Sequence, residues 1–215
     1  MNHHALAALL AGTVSLLPVS ASAGDIDDLR KAAEWGKTAM GAECDFPEFE
    51  SGDGIAENNR IHRFDFKYEY DTDADAAHVF TLYELHCMSG AYNVGNIYVT
   101  LSWDNKYQLL SFAEPSLDIR YKDAETMTEL MGAPRVTGYR ATSILINSSF
   151  DPATKTITSR SNWRGLGDAW SSGTWTFDDG QFILTGYDVD PVYDLNGENA
   201  NQDEERPQDI FRILP

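Results

Sequence analysis

Arg63-Phe64-Asp65-Phe66-Lys67-Tyr68-Glu69-Tyr70 alternates without a break between charged and aromatic residues. Successive side chains of a β-strand point to opposite faces, so the octet puts rings on one side and charges on the other. This is the pattern of a half-buried strand in an antiparallel sheet. It predicts Phe64, Phe66 and Tyr68 buried, with Arg63, Asp65 and Lys67 in solvent.

Toward the C-terminus, Asp71-Thr72-Asp73-Ala74-Asp75 reads as a polar connection to a strand over 78–87, followed by a loop over 89–95. Strands over 96–103 and 107–112 flank Asp104-Asn105-Lys106, a hairpin signature. Further strands are expected over 116–121, 139–150, 155–160, 174–177 and 181–187. Their turns are Asp151-Pro152-Ala153-Thr154 and Asp178-Asp179-Gly180. A short helix is expected over 123–131, stopped by Gly132 and Pro134. Residues 188–208 are acidic and Asn-rich and read as a mobile loop, after which 209–214 returns as an edge strand.

Toward the N-terminus, Pro47, Gly52, Gly54 and Asn58-Asn59 mark a loop, preceded by a helix over 25–40 with Asp25, Asp27 and Asp28 at its start. Many strands on short connections, without interleaved helices, predict a mainly β fold. The expected architecture is an antiparallel sheet system, sandwich or open barrel, in a single β-rich domain over 24–215.

The first 23 residues contain no Asp, Glu, Lys or Arg, and Ala21-Ser22-Ala23 supplies the small residues that signal peptidase accepts. Residues 1–23 therefore read as a cleaved secretory signal. The apolar run before Pro18 is shorter than the roughly 20 residues of a spanning helix, and no membrane insertion of the mature chain is expected. Export to the periplasm or exterior of a Gram-negative bacterium implies an oxidising compartment, where Cys44 and Cys87 form a disulfide.

The 215 residues carry 34 Asp and Glu against 16 Lys and Arg, a net charge of −18. Such a chain repels phosphates, which argues against nucleic acid and anionic lipid as partners. No HExxH, GxSxG, Walker, CxxC or GxGxxG pattern is present, so no cofactor is expected and no catalytic residue is selected. Asp71, Asp73 and Asp75 have calcium-loop spacing, but Ala76 and Leu82 stand where an EF-hand needs Gly and Glu. His78, Glu84 and His86 share one strand face. His78 and His86 lie about 27 Å apart when extended, so no metal site is expected.

Cys87-Met88-Ser89-Gly90-Ala91-Tyr92-Asn93 is similar to the C-x-S-G-A-Y-N signature of a bacterial exported family called domain of unknown function 1176. Phe150-Asp151-Pro152, Arg164-Gly165-Leu166-Gly167-Asp168, Ser172-Gly173-Thr174-Trp175 and Gln181-Phe182-Ile183-Leu184 resemble its second signature in the same order. The resemblance spans roughly residues 78–187. It departs at Ala169, where the family usually has Cys, so the family's disulfide scheme does not carry over whole. It implies a secreted β-rich protein and no defined activity.

The two signature loops, 89–93 and 164–170, are expected to lie side by side as a binding surface. Ser89, Tyr92, Asn93, Arg164, Asp168 and Trp170 are its candidate residues. Tyr92 and Trp170 would stack on a ligand, while Asn93, Arg164 and Asp168 orient its polar groups. The competing account makes both loops structural corners. The leading functional expectation is an exported, non-catalytic, envelope-associated or ligand-binding protein, its partner an envelope protein or sugar-like ligand. A second is an acidic inhibitor of a cationic lysozyme-like hydrolase, steered by charge, because Ser89-Gly90-Ala91-Tyr92 is loosely similar to a Ser-Gly inhibitory loop. A third is a glycosidase with carboxylates about 5–10 Å apart.

Overall fold

The computed structural model describes residues 23–45, 55–193 and 210–214. Residues 1–22 of the predicted signal over 1–23, the loop residues 46–54 and the acidic stretch 194–209 lie outside the described residues. A helix, α1 (Ala23–Met40), passes through a 3-10 turn (Gly41–Glu43), and one helical turn, α2 (Ile55–Asn58), precedes the strands. These are β1 (Arg60–Phe66), β2 (His78–Ser89), β3 (Val94–Leu101), β4 (Tyr107–Leu109), β5 (Phe112–Asp118) and β6 (Arg135–Thr142). The rest are β7 (Ile144–Ile146), β8 (Ser149–Asp151), β9 (Thr156–Asn162), β10 (Trp170–Asp178), β11 (Gln181–Asp190) and β12 (Phe211–Leu214).

The fold is mainly β with antiparallel, open sheets, as the strand patterns predict. One five-stranded sheet runs β1-β2-β3-β4, with β7 also on β3. A second runs β12-β11-β10-β9-β8, and β5 and β6 form a two-stranded ribbon. Strand β3 shares one edge between two partners: Val99, Thr100 and Leu101 face β4, while Gly95, Asn96 and Ile97 face β7.

The packing explains why β2 carries apolar residues on both of its faces, around Thr81, Glu84 and His86. Tyr83, Leu85 and Cys87, with Ile97 and Val99 of β3, pack against Leu29, Ala32 and Ala33 of α1. The intervening Phe80 and Leu82, with Tyr98, turn to the opposite face and meet Ile157 and Trp175 of the second sheet. A sheet covered on both sides reads as a continuous apolar run. The order of layers is therefore helix, sheet, sheet. The second core is largely aromatic: Phe64, Phe80, Phe112, Phe177, Phe182 and Trp175 meet mostly edge to face, the arrangement that ring quadrupoles favour.

Two cross-links hold the helix to the sheet. The Cys44–Cys87 disulfide is present, with Cα atoms 4.6 Å apart, and joins the end of the helical segment to β2. At the other end, Arg63 of β1 grips Asp25 at 2.6 Å and Asp28 at 3.1 Å in the first turns of α1. No helix among the described residues is long and apolar enough to cross a membrane.

Several boundaries differ from expectation for local reasons. The alternating octet overruns its strand, which ends at Phe66. Phe64 and Phe66 are half-buried rather than buried because β1 is an edge strand, and Tyr68, beyond the end of the strand, is half-buried as well. Tyr68 and Tyr70 stack on each other at 5.0 Å, and Tyr70 is 76% exposed. Residues 123–131 form turns, not a helix: the Asp123 carboxylate captures the Glu125 amide at 2.9 Å, and Met127 takes a left-handed φ of 54°. The expected long strand over 139–150 breaks into pieces, one break at Asn147 with φ 44°. Finally, the segment read as a mobile loop from 188 continues β11 to Asp190, which is buried together with Val192.

Candidate functional site

The two signature loops touch. The Asn93 amide nitrogen donates to the Asn162 carbonyl at 2.8 Å, and its oxygen accepts from the Asn162 backbone N–H at 3.2 Å. Tyr92 packs against Gly165, where an added Cβ would come within 3.2 Å of the ring. A third segment completes the junction. Asn147, in the turn between β7 and β8, donates to Asn93 Oδ1 at 2.9 Å and to the Arg160 carbonyl at 3.0 Å, and accepts from Val94 N–H at 2.8 Å. Its left-handed backbone is one that asparagine tolerates better than most residues.

Each sequence-predicted residue has a definite place here. Asn93 is consumed by the junction. Arg164 chelates Asp168 through Nε at 2.9 and 3.0 Å and through Nη2, closing the Gly-containing loop on itself, and its guanidinium lies 5.0 Å from the Tyr193 ring centre. Ser89 Oγ pairs with His86 Nε2 at 3.0 Å. Tyr92 is 44% exposed and offers a surface. Trp170 does not: it is 5% exposed, with the Arg160 guanidinium 3.9 Å above its ring. It points to the face of the second sheet opposite Trp175 and cannot stack on a ligand beside Tyr92. The expected stacking role of Trp170 is corrected accordingly.

A groove of about 700 Å³ opens beside this junction, walled by the β5–β6 ribbon and floored by the second sheet. Its origin is a change of side-chain size along two strands. Ile157, Ser159 and Ser161 of β9 face Trp175, Gly173 and Ser171 of β10 in register, all on the inner side. Where Ile157 and Trp175 stand, the sheets pack shut; where serines and glycine stand, they leave a hollow. Gly173 is also required by Trp175, whose ring lies 2.3 Å from where a Cβ would sit. The Trp175 indole N–H donates to the Ala113 carbonyl at 2.9 Å and so pins the ribbon that forms the wall.

The groove is two-sided in chemistry. Pro115, Leu117 and Ile119, with Ile144 and Ile146 of β7, give apolar surface, interrupted by Ser116 and Thr142, and Ser159, Ser161 and Ser171 give hydroxyls from the floor. Trp163 stands at the groove with its indole N–H toward Ser171 Oγ at 3.4 Å. Among the described residues Glu114 is the one carboxylate in the lining, and Arg140 holds it at 2.9 Å, so those residues present no opposed carboxylate pair. Burial pushes the Tyr187 phenol up, helped by the Glu114 charge and opposed by a hydrogen bond with Ser171. Tyr187 therefore stays a neutral hydroxyl in the groove. Among the described residues no group of three or more His, Cys, Asp or Glu is placed to hold a metal ion.

Sequence reading missed Asn147, Glu114, Arg140 and the serine floor. The floor had a signal: alternate positions of two adjacent strands pass from large apolar to Ser or Gly at the same register. Glu114 and Arg140 sit opposite each other across the ribbon, a pairing that needs the register to be known.

A disulfide-closed antiparallel β protein with a hydroxyl-floored groove is the class that this geometry defines. The chain belongs to the family described as Protein of unknown function (DUF1176), whose sequence model matches residues 74–195. The matched segment contains both signature loops and every described residue lining the groove. No curated protein and no solved structure matches the chain.

Proposed function

We propose that the protein is an exported, non-catalytic binding protein of the bacterial envelope, and that the groove takes a sugar-like ligand. The observation that carries this reading is the groove's division into an apolar side and a serine floor beside Trp163. A saccharide ring has the same division, with C–H faces that lie on aromatic or aliphatic surface and hydroxyls that exchange hydrogen bonds with side chains. The volume of about 700 Å³ falls within the span of ordinary small-ligand sites. The Cys44–Cys87 disulfide supports export, since such bonds persist in oxidising compartments.

The test is a tryptophan-fluorescence titration with cellotriose, maltotriose and chitotriose, repeated on Trp163→Phe and on Ser161→Phe. One sugar should give a saturable change that Trp163→Phe removes and that Ser161→Phe, which fills the groove, abolishes without lowering the melting temperature. If no sugar saturates, or the filled groove binds as well, the reading is wrong.

A specific observation favours a second reading. Met88, Tyr92, Val94 and Leu166 are all exposed at the loop end, an apolar surface suited to a protein partner. On that reading the acidic protein docks a basic hydrolase. Hen lysozyme activity measured with and without an excess of the protein decides it, with unchanged turnover removing a lysozyme of that type as the target.

A further inference from the structure

A second hollow, of about 390 Å³, lies at one end of the inner face of the first sheet and shares no lining residue with the groove. Register places its side chains together. Glu84 of β2 sits between Arg60 of β1 and Tyr98 of β3, and His86 sits beside Asn96. His62, two positions along β1 from Arg60, turns to the same face. Further along these strands that face carries Phe64, Phe80 and Leu82 in the aromatic core. The sheet thus changes from rings to ionisable groups within one strand length, and Phe150 marks the border, 4.8 Å from the His62 ring.

Glu84 is the unusual member. Its residue is 8% exposed, and a carboxylate withdrawn from water is costly unless strong donors replace the water. The donors present are distant. His62 Nε2 stands 3.3 Å from Oε2, and Asn96 Nδ2 stands 3.5 Å from Oε1 and also reaches Ser148. Charge-assisted hydrogen bonds are normally about 2.7–2.9 Å long. The Tyr98 hydroxyl, donating to Ser148 Oγ at 3.0 Å, is raised in pKa first by burial and then by the Glu84 charge beside it. The hollow is therefore floored by a buried carboxylate with long contacts, and His62 and Phe150 stand in its lining. Arg60 stands in the lining with Nη1 2.9 Å from the Asn59 carbonyl.

The geometry points to a subsite for the ammonium group of a small amine-bearing ligand, with Glu84 as its counter-ion. An ammonium brings a full charge and three donors to a carboxylate. The net charge of −18 raises the local concentration of cations around the whole protein. A hollow of about 390 Å³ accommodates one hexosamine or an amine of similar size.

The probes are glucosamine, glucose and N-acetylglucosamine, titrated against the full chain while the His62 and His86 imidazole C–H signals are followed by NMR. Glucosamine should shift both signals saturably, and the two neutral sugars should bind at least about tenfold more weakly, the cost of losing one charge-assisted contact. Glu84→Gln keeps the shape, removes the charge and should erase the preference for the amine. Comparing the three sugars on the wild-type protein needs no variant, so a Glu84→Gln chain that fails to fold leaves the test intact. Equal binding of all three sugars, no binding of glucosamine, or an undiminished preference in a folded Glu84→Gln chain each overturns the inference. Ser161→Phe should leave this binding unchanged, which separates failure here from failure of the groove.

Discussion

Gly173→Ala is the sharpest test of the packing that makes the groove. The new Cβ would lie 2.3, 2.8 and 2.9 Å from three carbons of the Trp175 six-membered ring. Carbon atoms rest about 3.5–4.0 Å apart, so the indole must withdraw by about 1 Å or more. It has nowhere to go: Trp175 is fully buried, Phe112 stands 5.5 Å from it edge on, and its N–H is fixed on the Ala113 carbonyl at 2.9 Å. Overpacking of this kind costs about 1–3 kcal/mol. Stretching the indole bond until a buried N–H is unsatisfied adds about 1–3 kcal/mol. Replacing glycine by alanine restricts the unfolded chain and returns about 0.4–1 kcal/mol. The expected net loss is about 1–5 kcal/mol, read from urea denaturation followed by far-UV circular dichroism. Trp175→Phe removes the ring that the Cβ strikes, so in that background Gly173→Ala should cost under about 1 kcal/mol, a coupling that a double-mutant cycle reports. A loss below about 0.5 kcal/mol in the otherwise wild-type protein, or the same loss in both backgrounds, would refute the reasoning.

Reducing the Cys44–Cys87 bond, which closes a loop of sequence separation 43, should lower stability by up to about 4 kcal/mol, measured as the urea midpoint with and without reductant. Asn147→Ala removes the polar hub of three segments at a left-handed backbone position and should cost about 2–3 kcal/mol by thermal or urea melting, with Asn147→Gly milder because glycine accepts that backbone. Asn93→Ala should likewise lower the melting temperature, since its amide ties loops together; an unchanged melting temperature would show the junction to be slack. Burial pushes the Tyr83 and Tyr121 phenols up to about 12. Unfolded tyrosines ionise near pH 10, so these groups confer full stability below about pH 10 and lose it as pH rises toward 12. Denaturation midpoints at pH 9, 10 and 11 should therefore fall only over the last interval.

How far the sequence carried depended on the range of the interaction involved. Strand periodicity, turns at Asp151–Thr154 and Asp178–Gly180, and the pairing of two cysteines are local or compositional, and all of these are found in the structure. The alternation over 63–70 read the faces of β1 well but not its end. Tyr68 and Tyr70 keep the period while leaving the sheet, because they stack on each other rather than on a partner strand. The helix expected at 123–131 failed for the opposite reason: Asp123 bonds its own backbone two residues on, and that local competition outweighs apolar spacing. At the site, the contact between the two signature loops and the Arg164–Asp168 pair were legible, while the burial of Trp170 was not. A ring of that size just before Ser171-Ser172 reads as surface until Arg160 is seen lying across it.

Both five-stranded sheets are built chiefly from strands adjacent in the chain, and the exception sits on β3, whose Gly95 pairs with Ile146 of β7. This division has a kinetic meaning. Hairpins close short loops quickly, whereas the β3–β7 pairing must first close some fifty residues, including the ribbon that walls the groove. Formation of that long-range pairing should therefore limit the speed at which the two sheets find each other. Weakening β7 at Ile144 or Ile146 should slow refolding in stopped-flow measurements, whereas weakening β12 at the far edge should chiefly hasten unfolding. The groove comes into being at the same step, since its wall, its floor and Ile144 meet only once that pairing has formed.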